Sequence, residues 1–129
     1  MKRDFDLVRK LLFFFEEKED MSPVLWTDPP EMEGYSRDAV KYHLILLYQG
    51  GLVHGEPMRS TTSDRIIDMG AVFSLTWDGH EFLDKIRSDT VWEKIKQKAA
   101  STGWSLSFQA LSTVASWFLQ QALRGGLGM

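Results

Sequence analysis

The stretch from Ser36 to Val53 constrains the chain more than any other. Val40, Leu44 and Leu47 fall on one face of a helix, flanked by Ala39, His43 and Tyr48. Ser36 is a good N-cap. Gly50-Gly51 ends the helix, because glycine takes the left-handed turn that other residues resist. Leu52 and Val53 then lead into an extended segment, so the helix turns directly into a strand. Up to Thr76 the strand formers are Ile66 and Ile67, then Val72, Phe73 and Leu75. Ser60-Thr61-Thr62-Ser63-Asp64 reads as a polar loop, His54-Gly55-Glu56-Pro57 as a turn-like break, and Asp68-Met69-Gly70 as a bend or bulge. A helix feeding a β-hairpin is the local plan.

The flanking segments supply a core for it. Phe5, Val8, Leu11, Leu12 and Phe15 line one face of a helix expected from Asp4 to Lys18. Asp4 and Asp6 suit its first turn, whereas Glu16, Glu17, Glu19 and Asp20 oppose the dipole at its end and predict fraying. Phe13 and Phe14 widen the apolar face, as expected of a helix between two neighbours. Pro23, Pro29, Pro30 and Gly34 then exclude a helix, leaving Val24-Leu25-Trp26 as a very short strand. Thr76 is the expected N-cap of a third helix through Phe82, Leu83 and Ile86. Thr90 and Glu93 have capping-box spacing for a fourth, with Val91, Trp92, Ile95 and Ala99 on its apolar face. Thr102-Gly103 breaks it, a last helix runs from about Ser105 to Leu123, and residues 125–129 read as a mobile tail.

With 129 residues, 43% of them hydrophobic, the chain suffices for one domain with one core. The expected fold is α+β: a winged-helix-like domain with a β-hairpin wing and additional C-terminal helices. Residues 1–88 form its core, and 89–124 a helical extension of the same domain. Pro23, Pro29 and Pro30 leave little room for the middle helix of a helix-turn-helix.

Two phrases support this order: Tyr42-His43-Leu44 with Gly51-Leu52-Val53, and Leu75-Thr76-Trp77-Asp78-Gly79-His80-Glu81-Phe82-Leu83-Asp84. With the opening Met1-Lys2-Arg3-Asp4 and with Val91-Trp92 followed by Lys96, they resemble a family of small bacterial and prophage proteins. It is known as the domain of unknown function numbered twenty-five thirteen. The resemblance covers nearly the whole chain. It implies a winged-helix-like fold and a bacterial or phage setting, and brings no catalytic residues with it.

Several classes are disfavoured by what the chain contains. It has no cysteine, which excludes disulfides, thiolate metal sites and a Cys nucleophile. The net charge of -3 excludes a basic surface overall but not a local patch. No apolar run reaches the ~18 residues of a membrane span, and the acidic residues and immediate helical periodicity of Met1–Lys10 are unlike a signal peptide. A cytoplasmic protein with no membrane partner is expected. No metal-ligand spacing, phosphate loop or nucleophile elbow is present, so no catalytic residue, metal or cofactor is expected. His43 and His80 are expected to pack at the helix–wing junction with one hydrogen bond each, where they could face each other. His54 lies in a loop and supports nothing.

What remains is a binding module, a regulator acting through DNA or protein. Ser36, Arg37, Lys41, Tyr42 and Gln49 on the second helix, with Arg59 and Arg65 in the wing, are the candidate DNA contacts. From Ser36 to Ile66, four basic residues (Arg37, Lys41, Arg59, Arg65) stand against three acidic ones (Asp38, Glu56, Asp64). Such a balance predicts weak, salt-sensitive DNA binding. The alternative is a phage-encoded protein that binds and modulates a host protein without touching DNA. Trp104 to Leu123 carries no charge. Trp104, Phe108, Trp117 and Phe118 are therefore candidate anchors of a protein interface or homodimer.

Overall fold

A computed structural model describes the fold of residues 1–102 and 108–126, and the side chains of 1–98 and 111–121. It is α+β, with helices α1 (Phe5–Glu17), α2 (Arg37–Gln49), α3 (Trp77–Ile86), α4 (Asp89–Thr102) and α5 (Phe108–Gly126). Strands β1 (Val24–Leu25), β2 (Val53–Arg59) and β3 (Ile66–Leu75) form one antiparallel sheet in the order β1-β3-β2. The chain divides into two compact units, Met1–His80 and Glu81–Met129.

In the first unit, Asp4 caps α1: its Oδ1 accepts from Asp6 N at 2.8 Å and Leu7 N at 3.2 Å. Phe5, Val8, Leu11, Leu12 and Phe15 are buried, together with Leu7. The helix stops at Glu17, where Lys18 turns its Nζ to Ser22 O at 2.7 Å and Asp20 at 3.3 Å. Ser36 caps α2, its Oγ accepting from Ala39 N at 3.0 Å. Both helices pack on β3 and α2 also on β2, and Val40, Leu44 and Leu47 of α2 are buried together with Val24, Val53, Met69, Val72 and Leu75 of the sheet. Gly51, at φ +73°, makes the turn into β2.

The expected break at His54–Pro57 does not occur. β2 runs through it, paired to β3 from Val53↔Leu75 to Arg59↔Ile66. Register irregularities at three points absorb the misfit, a bulge-like adjustment that edge strands tolerate. Gly55 presses on Met69 Cε and Ala71 O, where an added Cβ would lie 2.8 and 2.9 Å away. Pro57 fits because β2 is the sheet's edge, where a missing N–H breaks no inner ladder. The bulge expected near Gly70 is present: Glu56 faces both Gly70 and Ala71, with Gly70 at φ +54°.

Thr76 caps α3 and ties it to the turn before β2. Its Oγ1 accepts from Gly79 N at 2.9 Å and donates to Gly51 O at 2.5 Å. In the second unit Phe82, Leu83, Ile86, Trp92, Ile95, Leu111 and Ala115 are buried, and α4 packs on α5. Ser88, not Thr90, begins α4: its Oγ accepts from Val91 N at 3.3 Å and its carbonyl from Trp92 N at 2.9 Å. Glu93 pairs with Lys96 at 3.0 Å. α5 extends through Gly125 and Gly126, which the sequence assigned to a mobile tail; 127–129 lie outside the described residues.

Candidate functional site

α2 and the hairpin define a groove on the first unit. Tyr42, Ile45, Tyr48 and Gln49 come from the helix, and Arg59, Asp64, Arg65, Ile66 and Ile67 from the hairpin end; the groove encloses about 760 Å³. Val40, His43, Leu44 and Leu47 form the buried stripe of α2, and Tyr42, Ile45 and Tyr48, half-buried beside it, border the groove. The hairpin projects alongside, closed at its tip by Ser60 N donating to Arg65 O at 2.8 Å. Arg59 Nη1 donates to Asp64 O at 2.7 Å, which stiffens the loop. Arg65 is exposed at the rim.

Of the seven residues singled out as DNA contacts, Tyr42, Gln49, Arg59 and Arg65 meet in this groove, and the other three are used elsewhere. Ser36 is the α2 N-cap. Arg37 donates through Nη2 to Thr27 O. Lys41 lies over the Trp26 ring, 5.5 Å from its centroid. Both cations therefore fasten the segment after β1 to α2. Arg37 also edges a separate 580 Å³ hollow among Asp28, Glu31 and Glu33, surroundings that repel phosphate. The sequence missed Ile45, Ile66 and Ile67 as site residues. For Ile66 and Ile67 the signal was their doublet, since only one of two successive strand side chains can face the core.

The two histidines part company. His43 is 2% exposed, its Nε2 accepting from Asp4 N at 2.8 Å and its Nδ1 2.8 Å from Ala39 O. Since the Asp4 N–H must donate, Nε2 carries no proton and Nδ1–H donates to Ala39. Asp4 Oδ2 also accepts from Tyr35 OH at 3.1 Å. That cluster joins α1, the loop before α2, and α2. Partial burial, then the Asp4 carboxylate, push the Tyr35 hydroxyl up to about 12. With both ring nitrogens bonded to backbone, His43 has none left for chemistry, and its partner is the α1 cap rather than the wing. His80 is exposed, contrary to the expected packing. Among the described residues, no group of three or more His, Asp or Glu is placed to hold a metal ion.

In the second unit Trp117 is 54% exposed and stacks edge-on against Phe118, with ring centroids 5.0 Å apart. The pair lines a 470 Å³ hollow with Lys98, Thr113 and Val114. Trp104 lies outside the described residues, as does the side chain of Phe108. Among the described residues no helix is long and apolar enough to cross a membrane.

Fold and groove together define an α+β protein whose prominent surface feature is a helix–hairpin groove. The chain belongs to the family described as hypothetical protein (DUF2513), whose model matches residues 2–105. It is 36% identical over 123 residues to an uncharacterised protein of Haemophilus influenzae, covering 95% of this chain and 99% of that one. No solved structure matches the chain.

Proposed function

We propose that the chain is a non-enzymatic binding module of winged-helix-like architecture, recognising a protein partner through the α2–hairpin groove, in the bacterial cytoplasm. The element order α1-β1-α2-β2-β3 and the sheet order β1-β3-β2 support the architecture, with the hairpin as wing and no middle helix among Met21–Tyr35. The groove lining carries the choice of partner. Two tyrosines and three isoleucines outnumber two arginines, and Asp64 offsets one of those. Aromatic and apolar side chains around a few polar groups suit protein recognition. Neutralising a duplex backbone takes several cations, and Arg37 and Lys41 are already engaged.

DNA binding is the second reading. Arg59 and Arg65 beside Gln49 favour it, because a wing arginine next to a polar helix end can bridge phosphate and groove. The discriminating experiment is affinity capture from bacterial lysate with and without nuclease, beside a titration of genomic DNA fragments at low and physiological salt. Capture that survives nuclease and is lost in Ile67→Lys is the expected result. Capture abolished by nuclease, with DNA binding that persists at physiological salt, refutes the protein reading.

A further inference from the structure

The hydrogen bond from Asp4 N to His43 Nε2 exists in one protonation state only. At 2.8 Å the backbone N–H must donate, so Nε2 brings a lone pair, and Nδ1–H is committed to Ala39 O at 2.8 Å. An imidazolium carries two N–H donors and no acceptor. A proton arriving at Nε2 therefore sets one N–H against another, around a ring that is 2% exposed. The contact that joins the middle of α2 to the start of α1 is sensitive to a single proton.

The surroundings decide what a charged ring does next. From α1 come Asp4 and Asp6, and from the loop before α2 comes Tyr35, whose hydroxyl donates to Asp4 Oδ2 at 3.1 Å. Lys10 of α1 lies over the Tyr35 ring, 5.7 Å from its centroid. On α2 the Tyr42 ring stands edge-on to the imidazole, with centroids 5.9 Å apart. β2 and β3, which also pack on α2, contribute the buried apolar Val53, Met69, Val72 and Leu75. The acceptor at hand is thus the carboxylate of Asp4, the residue whose backbone already holds the ring. That carboxylate has a task of its own, since Oδ1 caps α1 by accepting from Asp6 N and Leu7 N. Asp4 and Tyr35 keep part of their surface in solvent, so the cluster is not sealed.

We propose that His43 is an acid-released latch on α1. When the ring takes up a proton at Nε2, the new N–H leaves the Asp4 N–H and turns to the Asp4 carboxylate. The carboxylate is drawn off the Asp6 and Leu7 N–H groups, and the first turn of α1 loses its cap. The sign follows from the neutral ring of the closed state: the latch is complete at neutral pH and opens as pH falls. It is independent of what the groove binds.

The test is nuclear magnetic resonance on the full chain between about pH 7.5 and about pH 5.5, where histidines take up their proton and carboxylates stay charged. The His43 ring nitrogens should report Nδ1–H with a bare Nε2 at the upper end and a doubly protonated ring at the lower. Over the same span, amide exchange at Asp6, Leu7 and Val8, corrected for its intrinsic pH dependence, should lose about tenfold in protection relative to Leu44 and Leu47. That is the worth of about one hydrogen bond. His43→Gln keeps an acceptor for Asp4 N and takes up no proton, so its α1 protection should not change with pH. A ring that stays neutral throughout, a ring that charges while α1 protection holds, or an equal loss in His43→Gln would each overturn the latch. The first two outcomes are read on the unaltered protein, so they decide the matter even if His43→Gln does not fold.

Discussion

Replacing His43 with Leu removes a side chain that reaches from the middle of α2 to the backbone at the start of α1. The substitution keeps an apolar group of similar size in a site that is 2% exposed, so packing changes little. Two hydrogen bonds of 2.8 Å disappear, to Asp4 N and Ala39 O, at about 1 kcal/mol each. Leaving the half-buried Asp4 N–H without an acceptor costs about 1 kcal/mol more, and the better burial of Leu returns about 1 kcal/mol. The net loss is about 2 kcal/mol, or about 10 °C in melting temperature if a unit of this size unfolds as one transition. Urea unfolding by circular dichroism gives the free energy, and amide exchange at Phe5–Val8 shows whether the first turn of α1 loosens. His43→Gln, which restores an acceptor, should recover part of the loss. A loss below about 0.5 kcal/mol, or one with unchanged exchange in α1, would refute the idea that His43 anchors that helix.

Gly79→Ala should be more damaging than its conservative look suggests. The new Cβ would lie 2.1 Å from Leu52 O and 3.3 Å from Leu75 Cβ, so α3 must shift; a loss of about 3 kcal/mol in urea unfolding is expected, and a neutral result would refute the close approach. Tyr35 gives a pH signature. Its hydroxyl is raised from 10.0 to about 12 in the folded chain, so the stability it contributes is complete below pH 10 and is lost as pH rises through about 12. Unfolding titrations from pH 8 to 12 should show that decline and Tyr35→Phe should flatten it; equal slopes in both would refute the linkage. The exposed Trp117 beside Phe118 predicts self-association through α5 at high micromolar concentration, abolished by Trp117→Glu. Light scattering that finds a monomer in the unaltered protein would refute it.

Much of the architecture was legible in residues that act within a few positions of themselves. The caps Asp4, Ser36 and Thr76, the stripes of α1 and α2, the glycine turn into β2 and the Gly70 bulge are local matters of hydrogen bonding, periodicity and φ. Local reasoning failed where two local signals competed or a distant segment decided. Ser88 outbid Thr90 as the α4 cap, two residues away with similar chemistry. His54–Pro57 has turn composition, yet pairing with β3 holds it extended, because a ladder to a partner strand outweighs weak local preference. The candidate site divides the same way. Helical spacing could group Arg37, Lys41 and Tyr42, but it could not show that Thr27 and Trp26 occupy the two cations. His43 and His80 look alike in sequence; only packing buries one against Asp4 and leaves the other exposed. The sequence by itself determined the helices, the caps of α1, α2 and α3, and the helix-to-hairpin order. The tertiary structure alone decided which charges stay free and where the groove opens, because those depend on contacts between segments far apart in the chain.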